Sequence, residues 1–248
     1  MTLFFLLSGY LCNSTKDDLQ NFILKKIRRL IYPFFSIAAI FMCVKLFANI
    51  FFDLKNPVTL QNILNLLIDP LYSYVPLLWF IHTLFFIFIL YKIVELVKIN
   101  DYVLLALILI LNILIDIKFP RFKIMNPALF RIIYYSFFFV LGHSLKGREL
   151  FNKHFALVSI IPILFLFFFT VYIIFVHSSF ILIQYCAAVL GIFMVIMLSI
   201  LIEKTGQSLI KKVFLNLGFF SMTIYLLHTL FVSSFRIFFE QVFPPFLP

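Results

Sequence analysis

Three stretches of an otherwise apolar chain hold the residues best suited to chemistry. In PLLWFIHTLFF, Trp79 and His82 lie three residues apart, so a helix puts them on one face. An imidazole inside a membrane is costly unless it pairs or faces a cavity. His82 is therefore either an interhelical hydrogen-bond partner or part of a site. Trp79 is the only tryptophan in the sequence, and it suits an interfacial anchor equally well. In LGFFSMTIYLLHTLFVSSFRIFFE, Ser221, Tyr225, His228, Val232 and Arg236 recur at helical spacing. They form a mostly polar stripe on a helix of Phe, Leu and Ile, and such a stripe must face other helices or water. Tyr225 and His228 could hold and polarise a hydroxyl substrate there, or simply bond one helix to another.

The third stretch is FILKKIRRLIYPFF, with Lys25, Lys26, Arg28 and Arg29 crowded before Leu30, and Pro33 where a first helical turn tolerates it. Arginine presents a fork of donors that matches phosphate oxygens, and lysine adds point charge. The cluster can grip the phosphates of a cytoplasmic coenzyme. It can also act as a topology anchor against anionic lipid.

Other chemistries have no residues to carry them. His143 reads as marking a cytoplasmic interface, His154 lies in the same loop region and His177 reads as exposed on the far side; Asp116 and Glu240 lie near helix ends. There is no HExxH, no metal-ligand spacing and no pair of intramembrane carboxylates. With six glycines in all, the chain has no Walker or Rossmann loop, which argues against an ATP-driven pump. Cys12, Cys43 and Cys186 are scattered in or beside apolar runs and read as small buried apolar side chains.

The elements that must position these residues follow from composition. The chain is 64% apolar and 12% charged, against about half and about a quarter for a soluble domain. Its long runs are apolar all round, as in FALVSIIPILFLFFFTVYIIFV, and lack the alternation of a barrel strand. An all-α, polytopic bundle is expected, built as one domain over residues 1–248. Eight hydrophobic segments are predicted: Met1–Cys12, Leu30–Phe52, Val75–Val97, Tyr102–Phe119, Leu129–Leu145, Phe155–Val176, Phe180–Ile202 and Phe214–Phe239. Asp53–Tyr74, with Pro57, Asp69 and Pro70, reads as a loop with an interfacial helix.

The net charge of +10 would suggest nucleic acid in a soluble protein; here it is first a topology signal. If the loop after Cys12 is cytoplasmic and sides alternate, thirteen of the 20 Lys and Arg fall inside and seven outside. The basic Lys118–Arg131 loop runs against that bias, either as a miscounted span or as a functional basic mouth. Twelve residues of helix rise only about 18 Å, against about 30 Å of hydrocarbon. The first segment is therefore expected to be the second half of a membrane hairpin.

Four landmarks in this order resemble the acyltransferase-3 family of bacterial membrane O-acyltransferases. They are FFLLSGYL at Phe4–Leu11, KKIRRLIYPF at Lys25–Phe34, LLWFIHTLFF at Leu77–Phe86 and LGFFSMTIYLLH at Leu217–His228, with a weaker fifth, FFFVLGHSL, at Phe137–Leu145. The resemblance implies transfer of an acetyl or similar group from cytoplasmic acyl-CoA to a carbohydrate hydroxyl of a surface polysaccharide or glycolipid, in the bacterial inner membrane. It matches the basic cluster to the family's cytoplasmic Arg motif, with Lys26 in place of the first Arg and Arg29 as the second. It makes Trp79, His82, Tyr225 and His228 pocket or oxyanion-side groups. It also implies a preceding helix with an Arg or Lys and a general-base His, which this sequence does not contain; weak or absent activity of the 248-residue form is the expectation. A flippase for a lipid-linked sugar is the main rival, but inverted repeats and paired broken helices are not evident. A non-catalytic remnant is the third reading.

Overall fold

Apolar segments without access to water satisfy their backbone groups internally, and helices do this within one segment. The computed structural model describes residues 1–13, 18–51, 58–146, 164–173 and 181–204, with Lys212, Val213, Leu215, Asn216, Gly218, Phe220, Tyr225 and Val232; among these the regular elements are helical. The chain divides into two compact units, Met1–Met197 and Leu198–Pro248.

Helix α1 is Thr2–Tyr10. Helix α2, Leu19–Lys26, passes through a π-helical turn at Ile27–Ile31 into α3, Tyr32–Phe51. The amphipathic α4, Leu60–Ile68, begins at Thr59, whose hydroxyl accepts a hydrogen bond from the Asn62 amide. Two 3-10 turns, Pro70–Tyr72 and Pro76–Leu78, lead into α5, Trp79–Leu96. Then come α6, Asp101–Lys118, the short α7, Pro120–Met125, and α8, Pro127–Ser144. The apolar α9 is Leu164–Ile173 and α10 is Ile181–Lys204.

Among the described residues, three helices are long and apolar enough to cross a membrane: Leu19–Phe47, Pro76–Leu96 and Ile181–Ile200. Of the eight predicted hydrophobic segments, Leu30–Phe52, Val75–Val97 and Phe180–Ile202 correspond to these three described helices. The first segment forms only nine residues of helix. Helix α6 carries Asp101, Asp116 and Lys118, and α8 carries Arg131. Most of Phe155–Val176 and Phe214–Phe239 lies outside the described residues. Where Asp53–Tyr74 is described, it holds α4 and the first 3-10 turn.

Helix α8 is the hub of the first unit. Water gives apolar helices no reason to associate in lipid, so close packing and small residues must do it. Gly9 on α1 backs onto the Phe139 carbonyl, and Gly142 on α8 backs onto the Leu6 carbonyl, so each helix offers its glycine to the other's backbone. On the α6 side, the fully buried Asn112 donates to the Ile108 carbonyl in its own helix (2.9 Å) and to Ile133 of α8 (3.4 Å). On the α10 side, Tyr185 donates to the Tyr134 carbonyl (3.2 Å) and stacks on Tyr134 and Phe138. Helix α5 closes the group through Ile81, Leu84, Ile87 and Phe88, all buried.

On α3 the apolar residues Ile40, Phe47 and Ile50 are exposed, as lipid-facing positions should be. Of the three cysteines, only Cys12 is buried; Cys43 and Cys186 are exposed and free. The reading of all three as buried small residues is corrected on that point. A thiol is apolar enough to face lipid chains instead.

Candidate functional site

One helix, α5, runs between two groups of polar residues. At about 1.5 Å per residue, about 20 Å of helix separates Trp79 near its start from Lys92 near its end.

At the Lys92 end lies the basic stretch. Lys25 is exposed at the end of α2, and Arg28 and Arg29 are exposed on the π-helical turn. A π turn inserts an extra residue and redirects the side chains it carries; such turns recur at functional sites. Lys26 behaves differently. Its Nζ sits 3.3 Å from the centroid of the buried Phe88 ring and 5.1 Å from that of Phe22. That is a cation–π tie between α2 and α5. Of the four residues predicted to hold a coenzyme, Lys25, Arg28 and Arg29 face outward and Lys26 faces in. Lys92, itself buried, pairs with Glu95 at 3.0 Å on the same end.

At the other end, Trp79 and His82 share one face, as the spacing predicts. Nε2 of His82 lies 3.1 Å from the Leu67 carbonyl at the end of α4. A carbonyl only accepts, so Nε2 carries the proton and Nδ1 of the neutral ring is left as an acceptor. Phe86 meets the ring edge-on at 4.8 Å. The Trp79 indole lies 5.4 Å from Tyr135 of α8, and the Arg131 guanidinium carbon stands 5.8 Å from its centroid.

Arg131 is also ion-paired to Asp69, two residues beyond Leu67. Asp69 is buried and caps the 3-10 turn at Pro70–Tyr72, its Oδ1 accepting from the Leu71 amide at 3.2 Å. The sequence reading left this pair in a loop and in a topology count. Its signal was an Asp-Pro step and an Arg between Phe130 and Ile132, charges that are functional candidates by default in such surroundings.

A second group was passed over as interface. His143 Nδ1 lies within hydrogen-bond distance of Asp101 and of the Tyr91 hydroxyl, at the Lys92 end. The predicted C-terminal stripe falls mostly outside the described residues, His228, Ser221 and Arg236 among them. Tyr225 is helical and half-buried in the second unit, and Val232 is exposed.

The first unit is therefore a membrane bundle with a cationic rim at one end and an indole, an imidazole and a buried ion pair at the other. The acyltransferase domain family, that of the acyltransferase-3 proteins, matches residues 1–248, and the chain belongs to it. It is an integral membrane protein of a family of acyl-group transferases. No curated protein and no solved structure matches the chain.

Proposed function

We propose that the protein moves an acyl group, acetyl in the first instance, from acyl-CoA to a hydroxyl of a cell-surface polysaccharide or glycolipid, in a bacterial cytoplasmic membrane. The observation that supports this best is the division of labour along α5. A rim with three outward cations suits a polyphosphate. An imidazole acceptor beside an ion pair and two aromatic rings suits a hydroxylated ring.

In this reading Lys25, Arg28 and Arg29 hold the coenzyme phosphates, and the thioester arm extends into the bundle. His82, which the resemblance places only on the pocket or oxyanion side, takes the base role in this reading: its Nδ1 accepts the proton of the acceptor hydroxyl as the hydroxyl oxygen attacks the thioester carbonyl. A C–O bond forms, the C–S bond breaks, and the coenzyme thiolate leaves with the proton that His82 gives up. Trp79 packs against the acceptor; Tyr225 and His228 keep the pocket role the resemblance implies for them, polarising a hydroxyl substrate.

Membranes containing the full chain, incubated with radiolabelled acetyl-CoA, test the proposal. Label should pass to a polysaccharide or glycolipid fraction, and R28A/R29A should raise KM for acetyl-CoA at least tenfold. Neither transfer nor saturable acetyl-CoA binding in membranes that hold the protein would remove the proposal.

A further inference from the structure

The ion pair at the Trp79 end is incompletely satisfied. Asp69 Oδ1 receives the Leu71 amide and the Arg131 guanidinium, but Asp69 Oδ2 has no hydrogen-bond partner. Arg131 gives Nη2 to Asp69, and its guanidinium carbon stands 5.8 Å from the Trp79 centroid, but its Nε has no partner either. Asp69 is only 7% exposed. An unmet polar atom at that depth costs about 1–3 kcal/mol, and more when charged. Each such atom in a native protein calls for an explanation.

The two atoms are complementary in kind, since one accepts and the other donates. A hydroxyl does both, giving its proton to one neighbour and taking a hydrogen bond from another. Asp69 Oδ2 and Arg131 Nε together can seat one hydroxyl, or two adjacent hydroxyls of one ring. Their surroundings suit the carbon body of such a molecule. Trp79, near which the guanidinium stands, and Tyr135, 5.4 Å from Trp79, are both only half-buried, and residues 69–78 before α5 expose Leu71 and Tyr72. His82 stands on the same face of α5 as Trp79, its Nε2 3.1 Å from the Leu67 carbonyl, two residues before Asp69.

From this we infer that Asp69 and Arg131 form a hydroxyl seat for a carbohydrate, with Trp79 and Tyr135 as its walls. The inference rests on the acyl-transfer reading for its purpose, because it says where the acceptor binds. It assigns the charged pair to recognition, beyond holding α8 to the chain before α5. The seat sits at the opposite end of α5 from the cationic rim, so donor and acceptor enter from different sides.

The lone tryptophan lies in the seat, so its emission reports on occupancy. Purified full-length protein in detergent is titrated with methyl β-D-glucoside, methyl β-D-galactoside and N-acetylglucosamine while Trp79 fluorescence is followed. Acetyl-CoA binding is measured in parallel with the radiolabelled compound. At least one sugar should change the emission saturably. R131K keeps the charge opposite Asp69 but loses Nε, and it should weaken that sugar at least tenfold while shifting acetyl-CoA affinity less than twofold. D69N should do the same if it folds. The double variant D69R/R131D restores opposite charges but transposes donor and acceptor, and it should stay weak.

Two results would overturn the seat: no saturable response to any of the three sugars, or wild-type sugar affinity in R131K or D69R/R131D, which would leave a structural clamp hydrated by water. Intact acetyl-CoA-dependent transfer alongside either of these sinks the seat alone. Intact sugar binding with no acetyl-CoA binding sinks the acyl-transfer reading and leaves the seat standing.

Discussion

Nδ1 of His143 lies 2.7 Å from Oδ2 of Asp101, joining the last turn of α8 to the first residue of α6. The Tyr91 hydroxyl closes the group from α5, 2.6 Å from Nδ1 and 3.1 Å from Asp101 Oδ1. Asp101 occupies the first turn of its helix, where the partial positive charge of free amides favours a carboxylate. Three helix ends are thereby bound by three side chains. Removing one leaves the others underemployed, so H143A and D101A should each lower stability by about 1–3 kcal/mol. In thermal unfolding in detergent, D101A/H143A should lose clearly less than the two singles added together. Additive losses would mean that the three residues do not act as a unit.

The reciprocal glycines give a sharper expectation. A Cβ at Gly9 would fall on the Phe139 carbonyl, and one at Gly142 on the Leu6 carbonyl. Backbone cannot swing aside as a side chain can, so G9A or G142A must push α1 away from α8. Each should cost about 1–3 kcal/mol or more, as overpacking does. At Gly191 the nearest atom is the Phe167 ring edge, 3.0 Å away, and a ring can turn. G191A should therefore be tolerated far better. Equal losses at the three positions in the same unfolding assay would contradict this ordering.

The basic stretch should separate into two kinds of residue. Lys26 is held over Phe88, so K26M should reduce stability by about 0.5–2 kcal/mol, the range of a cation–π contact. It should leave acetyl-CoA affinity within twofold. R28A and R29A remove exposed cations and should do the reverse, with little change in melting and weaker coenzyme binding. Raising salt should narrow the gap between wild type and R28A/R29A, because exposed charges are screened within about a Debye length. If K26M weakens acetyl-CoA as much as R28A does, then Lys26 belongs to the grip after all.

The residues that carry the fold were easier to read than those that complete the site. Runs such as Pro76–Leu96 and Ile181–Ile200 announce themselves because length and apolarity are properties of contiguous sequence. So is the face shared by Trp79 and His82, and so is the Lys25–Arg29 cluster. Asp69 and Arg131 are 62 residues apart, and Tyr91 and His143 are 52 apart; only the packing of α5 and α8 brings each pair together. Arg131 interrupts the apolarity of α8, and the ion pair with Asp69 explains why the interruption is tolerated. Lys26 was indistinguishable from its neighbours in sequence, since nothing local says that Phe88 will lie beneath it.

The turn after α5 carries the one non-glycine residue with positive φ among those described, Lys98 at 58°. Its amide donates to the Glu95 carbonyl at 2.9 Å, which closes the helix end before Asn100 caps α6. Glycine is the usual residue at such a position, because a Cβ there crowds the following carbonyl at a cost of about 1–2 kcal/mol. Glycine also loses more freedom on folding, which returns part of that gain. K98G should therefore be more stable than wild type by about 0.5–1 kcal/mol. Lys98 also contributes a positive charge, so the informative comparison is with K98A, which loses the same charge and keeps a Cβ. K98G should melt above K98A, and K98N, whose side chain tolerates this conformation, should fall between them. K98V should melt lowest, since a β-branched residue is least suited to positive φ. If all four substitutions melt together, the turn stores no backbone strain, and the Lys98 conformation is set by its surroundings at no cost.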